Sequence, residues 1–323
     1  MAGVSGAAAR TIAAGATVIA LTATSCAGGG SGTAGGRSRG DVRSNGPIVF
    51  SGAHPRGSSF SHIALWLVDS DGSNLHSISP SGGMSSPAWS PDGTLIAFSL
   101  GLYPPKGIAV IRPDGTGMRV IARGDLGQPT WSPDGRQLAV VAGSSIDVMS
   151  SAGGPLRTIL TLPKGMPWSL SWRSDGREIA FAWDHLSLAG LCFGKPHGIY
   201  EVAPSGGAPK QLTTGCDSAA AWSPDGSRLA FLRQWVGSGR PGLFTIPAEG
   251  GPLHRVWNGC FPPVQGRRDC QTGGVALAWS PDAKQFVFSR ADAYIINADG
   301  SGLHEIPGFG KLRFYADGVS WAH

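Results

Sequence analysis

Charge is scarce in this chain. Asp, Glu, Lys and Arg make up 15% of its 323 residues, against about 25% in an average soluble domain. Lysine is scarce, at 6 of the 26 basic residues. This composition excludes a charge-rich disordered chain and a charge-laced coiled coil. No basic run is interleaved with aromatic residues. The net charge of +5 and the pI near 9.1 therefore do not describe a nucleic-acid surface. Apolar runs are short, and none reaches the ~18 residues of a membrane helix, which excludes a multi-span membrane protein. Cysteine is limited to 5 residues. No C-x-x-C or H-x-x-x-H spacing occurs, so neither a zinc site nor a cofactor is expected. Glycine and proline are abundant instead, at 50 and 24 residues. Such a chain suits many short strands joined by tight turns.

The N-terminus reads as an address. Arg10 is the one charge of the first ten residues, and a largely apolar stretch from Thr11 ends in Ala23-Thr24-Ser25-Cys26. This is the pattern of an export signal. Leu21 to Cys26 resembles a bacterial lipoprotein lipobox, with Ala23 where that pattern prefers Leu or Val. The resemblance implies a signal peptide over 1–25 and a lipid on Cys26. Several buried acyl chains, at about 0.8 kcal/mol per CH₂, would then anchor the protein in the membrane. Residues 26–46 form a Gly/Ser/Arg tether without apolar periodicity. Arg37, Arg39 and Arg43 lie in it and read as solvated linker charges. Gly36 to Gly40 matches G-x-S-x-G formally but lacks the strand and helix that a nucleophile elbow needs.

From residue 47 the chain repeats itself. The unit is Trp-Ser-Pro-Asp-Gly followed by a short apolar strand. It occurs at Trp89, Trp131, Trp222 and Trp279 (with Ala283 for Gly), and more loosely at Trp172-Arg173-Ser174-Asp175-Gly176. A last copy breaks off at Val319-Ser320-Trp321. Pro presets φ in such a turn and Gly supplies positive φ at its end. A second turn recurs at Asp71-Gly72, Asp114-Gly115, Gly153-Gly154, Gly206-Gly207, Gly250-Gly251 and Asp299-Gly300. Each unit is therefore a sheet of about four strands. The tryptophans at 89, 131, 172, 222, 279 and 321 are spaced by 42, 41, 50, 57 and 42 residues. This period predicts an all-β fold, a six-bladed β-propeller. The strand missing after Trp321 appears at Ile48-Val49-Phe50-Ser51. N- and C-terminal strands should then close one shared blade, leaving no open sheet edge. The repeated Asp92, Asp134, Asp175, Asp225 and Asp282 read as turn residues, and the tryptophans as packing between blades.

These repeats resemble the WD-like propeller repeats of the TolB family over residues 47–323. The resemblance implies an exported propeller that binds protein partners. It also implies that the strand holding each tryptophan is innermost. Residues three to five positions earlier then ring one mouth of the channel: Ser85 and Ser86, Gly127 and Gln128, Trp168 and Ser169, Asp217 and Ser218, Gly274, and Asp317. Of these, Ser86, Gln128, Trp168, Asp217, Ser218 and Asp317 are the candidate binding residues.

Four cysteines remain after Cys26. The two longest tryptophan spacings each hold one pair, so Cys192–Cys216 and Cys260–Cys270 are expected as disulfides of an exported chain. The insertion with Arg267, Arg268 and Asp269 offers a second candidate surface. The expected function is a monomeric, membrane-tethered scaffold that binds a protein, peptide or other ligand in the cell envelope. The competing expectation is a propeller lyase or hydrolase acting on a glycan or peptide through Asp217, Asp317 and the loop bearing Asp184, His185 and His197.

Overall fold

Each Trp-Ser-Pro-Asp-Gly turn reverses the chain between two apolar strands, and five such reversals, with one pairing of the N- and C-terminal strands, build six four-stranded sheets arranged in a ring. The computed structural model describes residues 45–53, 63–101, 106–184, 198–233, 241–259, 276–289, 292–308 and 313–322. Among the described residues there are 24 strands and no helix. The first blade contains β1 (Ile48–Ala53), β2 (Ile63–Val68) and β3 (His76–Ser77). The second is β4 (Met84–Trp89), β5 (Ile96–Leu100), β6 (Gly107–Ile111) and β7 (Arg119–Arg123). The third is β8 (Leu126–Trp131), β9 (Gln137–Ala142), β10 (Ser145–Ser150) and β11 (Arg157–Thr161). The fourth is β12 (Met166–Trp172), β13 (Ile179–Asp184), β14 (Gly198–Val202) and β15 (Lys210–Gln211). The fifth is β16 (Asp217–Trp222), β17 (Arg228–Arg233), β18 (Gly242–Pro247) and β19 (His254–Trp257). The sixth is β20 (Ala276–Trp279), β21 (Gln285–Ser289), β22 (Ala293–Asn297) and β23 (His304–Glu305).

The last strand, β24 (Arg313–Trp321), pairs antiparallel with β1, with Ile48 opposite Trp321 and Val49 opposite Ser320. The first blade therefore has the order β24-β1-β2-β3, and the expected closure by N- and C-terminal strands holds. Trp321 Nε1 also donates to Gly46 O at 2.7 Å.

The second strands are apolar at almost every position, because both faces of each blade are covered by neighbours. Six buried clusters result, each drawn from two adjacent blades. Phe98, Phe181 and Phe231 are fully buried in three of them, and each such side chain contributes about 1.5–3 kcal/mol on burial. The repeat tryptophans are 3–8% exposed and belong to the same clusters, so they pack between blades.

The turns show why Ser and Asp recur. Ser132 Oγ donates to Asp134 Oδ1 at 2.6 Å and accepts from the Gln137 N–H at 2.9 Å. Ser90, Ser223 and Ser280 do the same with Asp92, Asp225 and Asp282. The fourth blade substitutes an ion pair. There the Arg173 guanidinium binds Asp175 at 2.8 Å and lies 5.4 Å over the Trp222 ring. The Ser132 hydroxyl, then the Arg136 N–H, hold the Asp134 carboxyl below its ordinary 3.8. Asp92 and Asp225 are lowered in the same way, first by Ser90 and Ser223. Gly93, Gly135, Gly176 and Gly226 take φ of 68–74° at the turn's end, and Ala283 takes 57° without glycine's freedom.

Candidate functional site: the central channel

The innermost strands β4, β8, β12, β16, β20 and β24 are sheet edges facing a common axis. Together they wall a cavity of about 790 Å³. An exposed edge is normally a row of unpaired backbone groups open to strand addition. Here four of the edges are interrupted by the same slip. The register slips between Ser85 and Ala88, Gly127 and Thr130, Trp168 and Ser171, and Ser218 and Ala221. Within these bulges Ser86, Gln128, Ser169 and Ala219 occupy the left-handed region, at φ 50–56°, three residues before their tryptophans. Such φ costs a non-glycine residue roughly 1–2 kcal/mol, so four repetitions mark a constrained ring.

Neighbouring blades supply the partners that the bulges lose. The Gln128 N–H donates to Ser99 Oγ of the preceding blade at 3.0 Å. The Ser169 N–H donates to the Gln128 side-chain Oε1. The Trp89 N–H donates to Ser320 Oγ at 3.2 Å and the Trp222 N–H to Ser171 Oγ at 2.9 Å.

Five of the six repeat indoles follow a simple rule, Trp321 being the exception because its Nε1 donates to Gly46 O. Trp131 Nε1 donates to Ala88 O and Trp279 Nε1 to Ala221 O, each at 3.0 Å. Trp89, Trp172 and Trp222 have buried Nε1 atoms with no partner among the described residues. In the bonded pairs, the residue before the preceding blade's tryptophan is alanine. In the unbonded ones it is Ser320, Thr130 or Ser171. A hydroxyl at this position goes with loss of the inter-blade indole bond, and in two cases it takes the backbone N–H instead.

Of the residues expected at the channel mouth, Ser86, Gln128 and Trp168 line the cavity. Asp217 does not. Its carboxylate is fully buried and binds Arg233 through two bonds, Nε to Oδ1 at 2.6 Å and Nη2 to Oδ2 at 2.7 Å. The two residues are register partners on β16 and β17. The guanidinium also lies 5.5 Å from the Phe231 ring and 5.3 Å from the Phe244 ring. Its bond to Asp217 raises the Arg233 pKa above the ordinary value. Ser218 is likewise buried, donating to Leu232 O at 3.3 Å. Asp217 and Ser218, expected at the channel mouth, are both buried and hydrogen-bonded within the fifth blade.

Asp317 lies on β24 beside the cavity-lining Gly318, and its side chain is outside the described residues. Cys26, Cys192, Cys260, Cys270, His185, His197, Arg267, Arg268, Asp269 and Gly274 also lie outside them. Cys216 is described and is buried just before β16.

Among the wall residues missed by the sequence reading are Thr130, Ser171 and Ser320, each directly before a tryptophan. Strand alternation could have found them, since a residue next to a seam-facing tryptophan faces the other way. Among the described residues, Asp125 is the only charged side chain on the wall. It is 89% exposed and pairs with Lys106 at 3.3 Å. The remaining wall is hydroxyl, amide, proline, aliphatic and indole.

No protein-family model matches the chain, and no curated protein matches it. Solved structures do. TolB from Acinetobacter baumannii aligns at a TM-score of 0.68 and 20% identity, covering 86% of this chain and 66% of that one. This chain thus spans 66% of the length of that TolB. A chain of the Nidogen/Laminin complex aligns at 0.65 and 11% identity, covering 86% and 98%. An oligogalacturonate lyase solved with manganese aligns at 0.51 and 14% identity, covering 75% and 70%. At such identities the likeness is one of fold, and fold does not carry activity. The resemblance to the TolB propeller is borne out at that level: the chain folds as a six-bladed, TolB-like β-propeller.

Proposed function

We propose that this protein is an extracytoplasmic, lipid-anchored propeller that works by binding, receiving an envelope protein or other ligand at its central channel. The observation that carries this reading is the channel wall. It presents hydroxyls, an amide and indoles on a rigid ring, while the nearby carboxylate Asp217 is spent on Arg233 and the repeated aspartates on their turns. The one charged wall residue among those described, Asp125, is 89% exposed and paired with Lys106, so it lacks the sheltered setting that tunes a general acid or base. A wall of this chemistry suits recognition instead.

The address belongs to the same reading. Residues 1–25 direct export, Cys26 takes the lipid, and 26–46 tether the propeller as a monomer. Cys192–Cys216 and Cys260–Cys270 staple two insertions. A Cys26→Ser chain is expected to leave the membrane fraction, and its retention there would remove the lipid anchor from the proposal. Peptide mapping without reductant is expected to recover the two pairs, and a bridge between the two insertions would overturn that assignment.

The binding reading is tested by chemical crosslinking in the native envelope, with the wild-type chain and Thr130→Arg as baits. A protein captured stoichiometrically by the wild type and lost with Thr130→Arg supports it. Capture that Thr130→Arg leaves unchanged places the binding surface elsewhere.

A further inference from the structure

Building on the reading of the channel as a binding surface, we infer that its ligand is an uncharged saccharide, held between Trp168 and the side chains of Gln128 and Thr130. The first argument is charge. Among the described residues the wall carries no cation, so a carboxylated or phosphorylated ligand would enter without a counter-charge, at a large desolvation cost. The second argument is backbone geometry. A peptide usually joins a sheet edge through main-chain hydrogen bonds on a regular strand. The inner edges here are bulged in four blades, and the N–H groups of Gln128, Ser169, Trp89 and Trp222 are already taken by neighbouring side chains. Strand addition therefore finds no ladder. Recognition falls to side chains.

The third argument is what those side chains are. The Ser169 N–H fixes the acceptor end of the Gln128 amide as Oε1, so Nε2 is the end left to donate. Nε2 donates to no described residue. Thr130 stands two residues further on β8, also on the wall. Trp168, on the adjacent inner strand β12, is half-buried and seated against the cluster between the fourth and fifth blades. An indole anchored on one side and lining a cavity on the other presents an apolar, π-rich platform. An amide donor, a hydroxyl and an indole on neighbouring strands match the two surfaces of a sugar ring, its hydroxyl rim and its C–H face. The cavity of about 790 Å³ falls within the range of small-ligand sites, about 300–1,000 Å³.

The test is isothermal titration of the full chain in detergent with four uncharged probes (maltotetraose, cellotetraose, chitotetraose and mannotetraose) and with trigalacturonate. At least one uncharged probe is expected to bind saturably and to outcompete trigalacturonate. Thr130→Val, which keeps the shape and deletes the hydroxyl, is expected to weaken it about three- to tenfold. Trp168→Ala is expected to weaken it tenfold or more, and Trp168→Phe to restore part of the loss. The Phe variant also serves if the Ala variant does not fold.

Binding of none of the uncharged probes by the folded chain overturns the inference, as does preferential binding of trigalacturonate. Saccharide binding that neither Thr130→Val nor Trp168→Phe alters overturns it as well. If the probes fail while envelope capture is lost with Thr130→Arg, the channel is a protein site and only the saccharide falls. If both fail, the reading of the channel itself falls.

Discussion

The two faces of this propeller differ in how their chain is written. On one face the connections are tight turns with a recurring residue set: Ser-Pro-Asp-Gly or a close variant between first and second strands in five blades, and Asp-Gly or Gly-Gly between third and fourth. On the other face the links between second and third strands run from two residues (143–144) to thirteen (185–197). That face also bears the starts of the inner strands, where the bulged, left-handed residues sit. The repeated face is repeated because each of its turns solves the same local problem, satisfying backbone groups within five residues of chain. The varied face has no common problem to solve, and there the blades diverge into an ion pair, a hydroxyl or an indole. Regularity thus marks the scaffold, and departure from it marks the candidate site.

Four substitutions would break or sharpen this contrast. The largest effect is expected from Trp279→Ala, which removes a buried ring 4.0 Å from the Phe286 ring and a bond to Ala221 O. Denaturant unfolding should show a loss of about 3–5 kcal/mol. Asp217→Ala should follow at ~2–3 kcal/mol, because Arg233, 19% exposed, is left beside two phenyl rings without its carboxylate. A variant of unchanged stability would return Asp217 to the list of residues kept for chemistry.

On the turn face, Ser132→Ala should cost about 1–3 kcal/mol, since the Gln137 N–H loses its acceptor and Asp134 its donor. The same turns carry a pH dependence. Asp92, Asp134 and Asp225 are held below 3.8, chiefly by their serine hydroxyls. Their stabilising contribution is therefore complete above pH 3.8 and is lost as pH falls through the lowered folded values. Acid unfolding followed by circular dichroism should show a shallower loss in Ser132→Ala. The smallest effect has the opposite sign. Ala283→Gly relieves the one left-handed alanine among the five complete turns and should raise stability by about 1 kcal/mol. A loss instead would mean that the Ala283 methyl group, packed against the cluster between the fifth and sixth blades, outweighs the backbone strain.

The same contrast explains what could be read from the residues alone. The blade count, the turn roles of the aspartates and the completion of the first blade by the last strand all rest on short-range patterns, and these carried through. The fate of Asp217 rested on register. Its partner Arg233 lies 16 residues away on the next strand, and the bulge between them displaces the pairing. Counting back from Trp222 therefore reached the right strand end but not the direction of the side chain. The wall hydroxyls Thr130, Ser171 and Ser320 were passed over because strand alternation was not followed back from the tryptophan beside each. Two of them act on the following blade, a relation that no single repeat displays.

The pairing of β24 with β1 also dictates an order of events in the life of the chain. Trp321 and Gly46 are bonded across 275 residues, so β1 must wait for β24. Until then Ile48 and Phe50, both buried in the closed ring, lack their cover from Val319 and Trp321. A polypeptide cut short before residue 313 would leave that apolar strand as an open sheet edge, the kind of template that invites pairing with another chain.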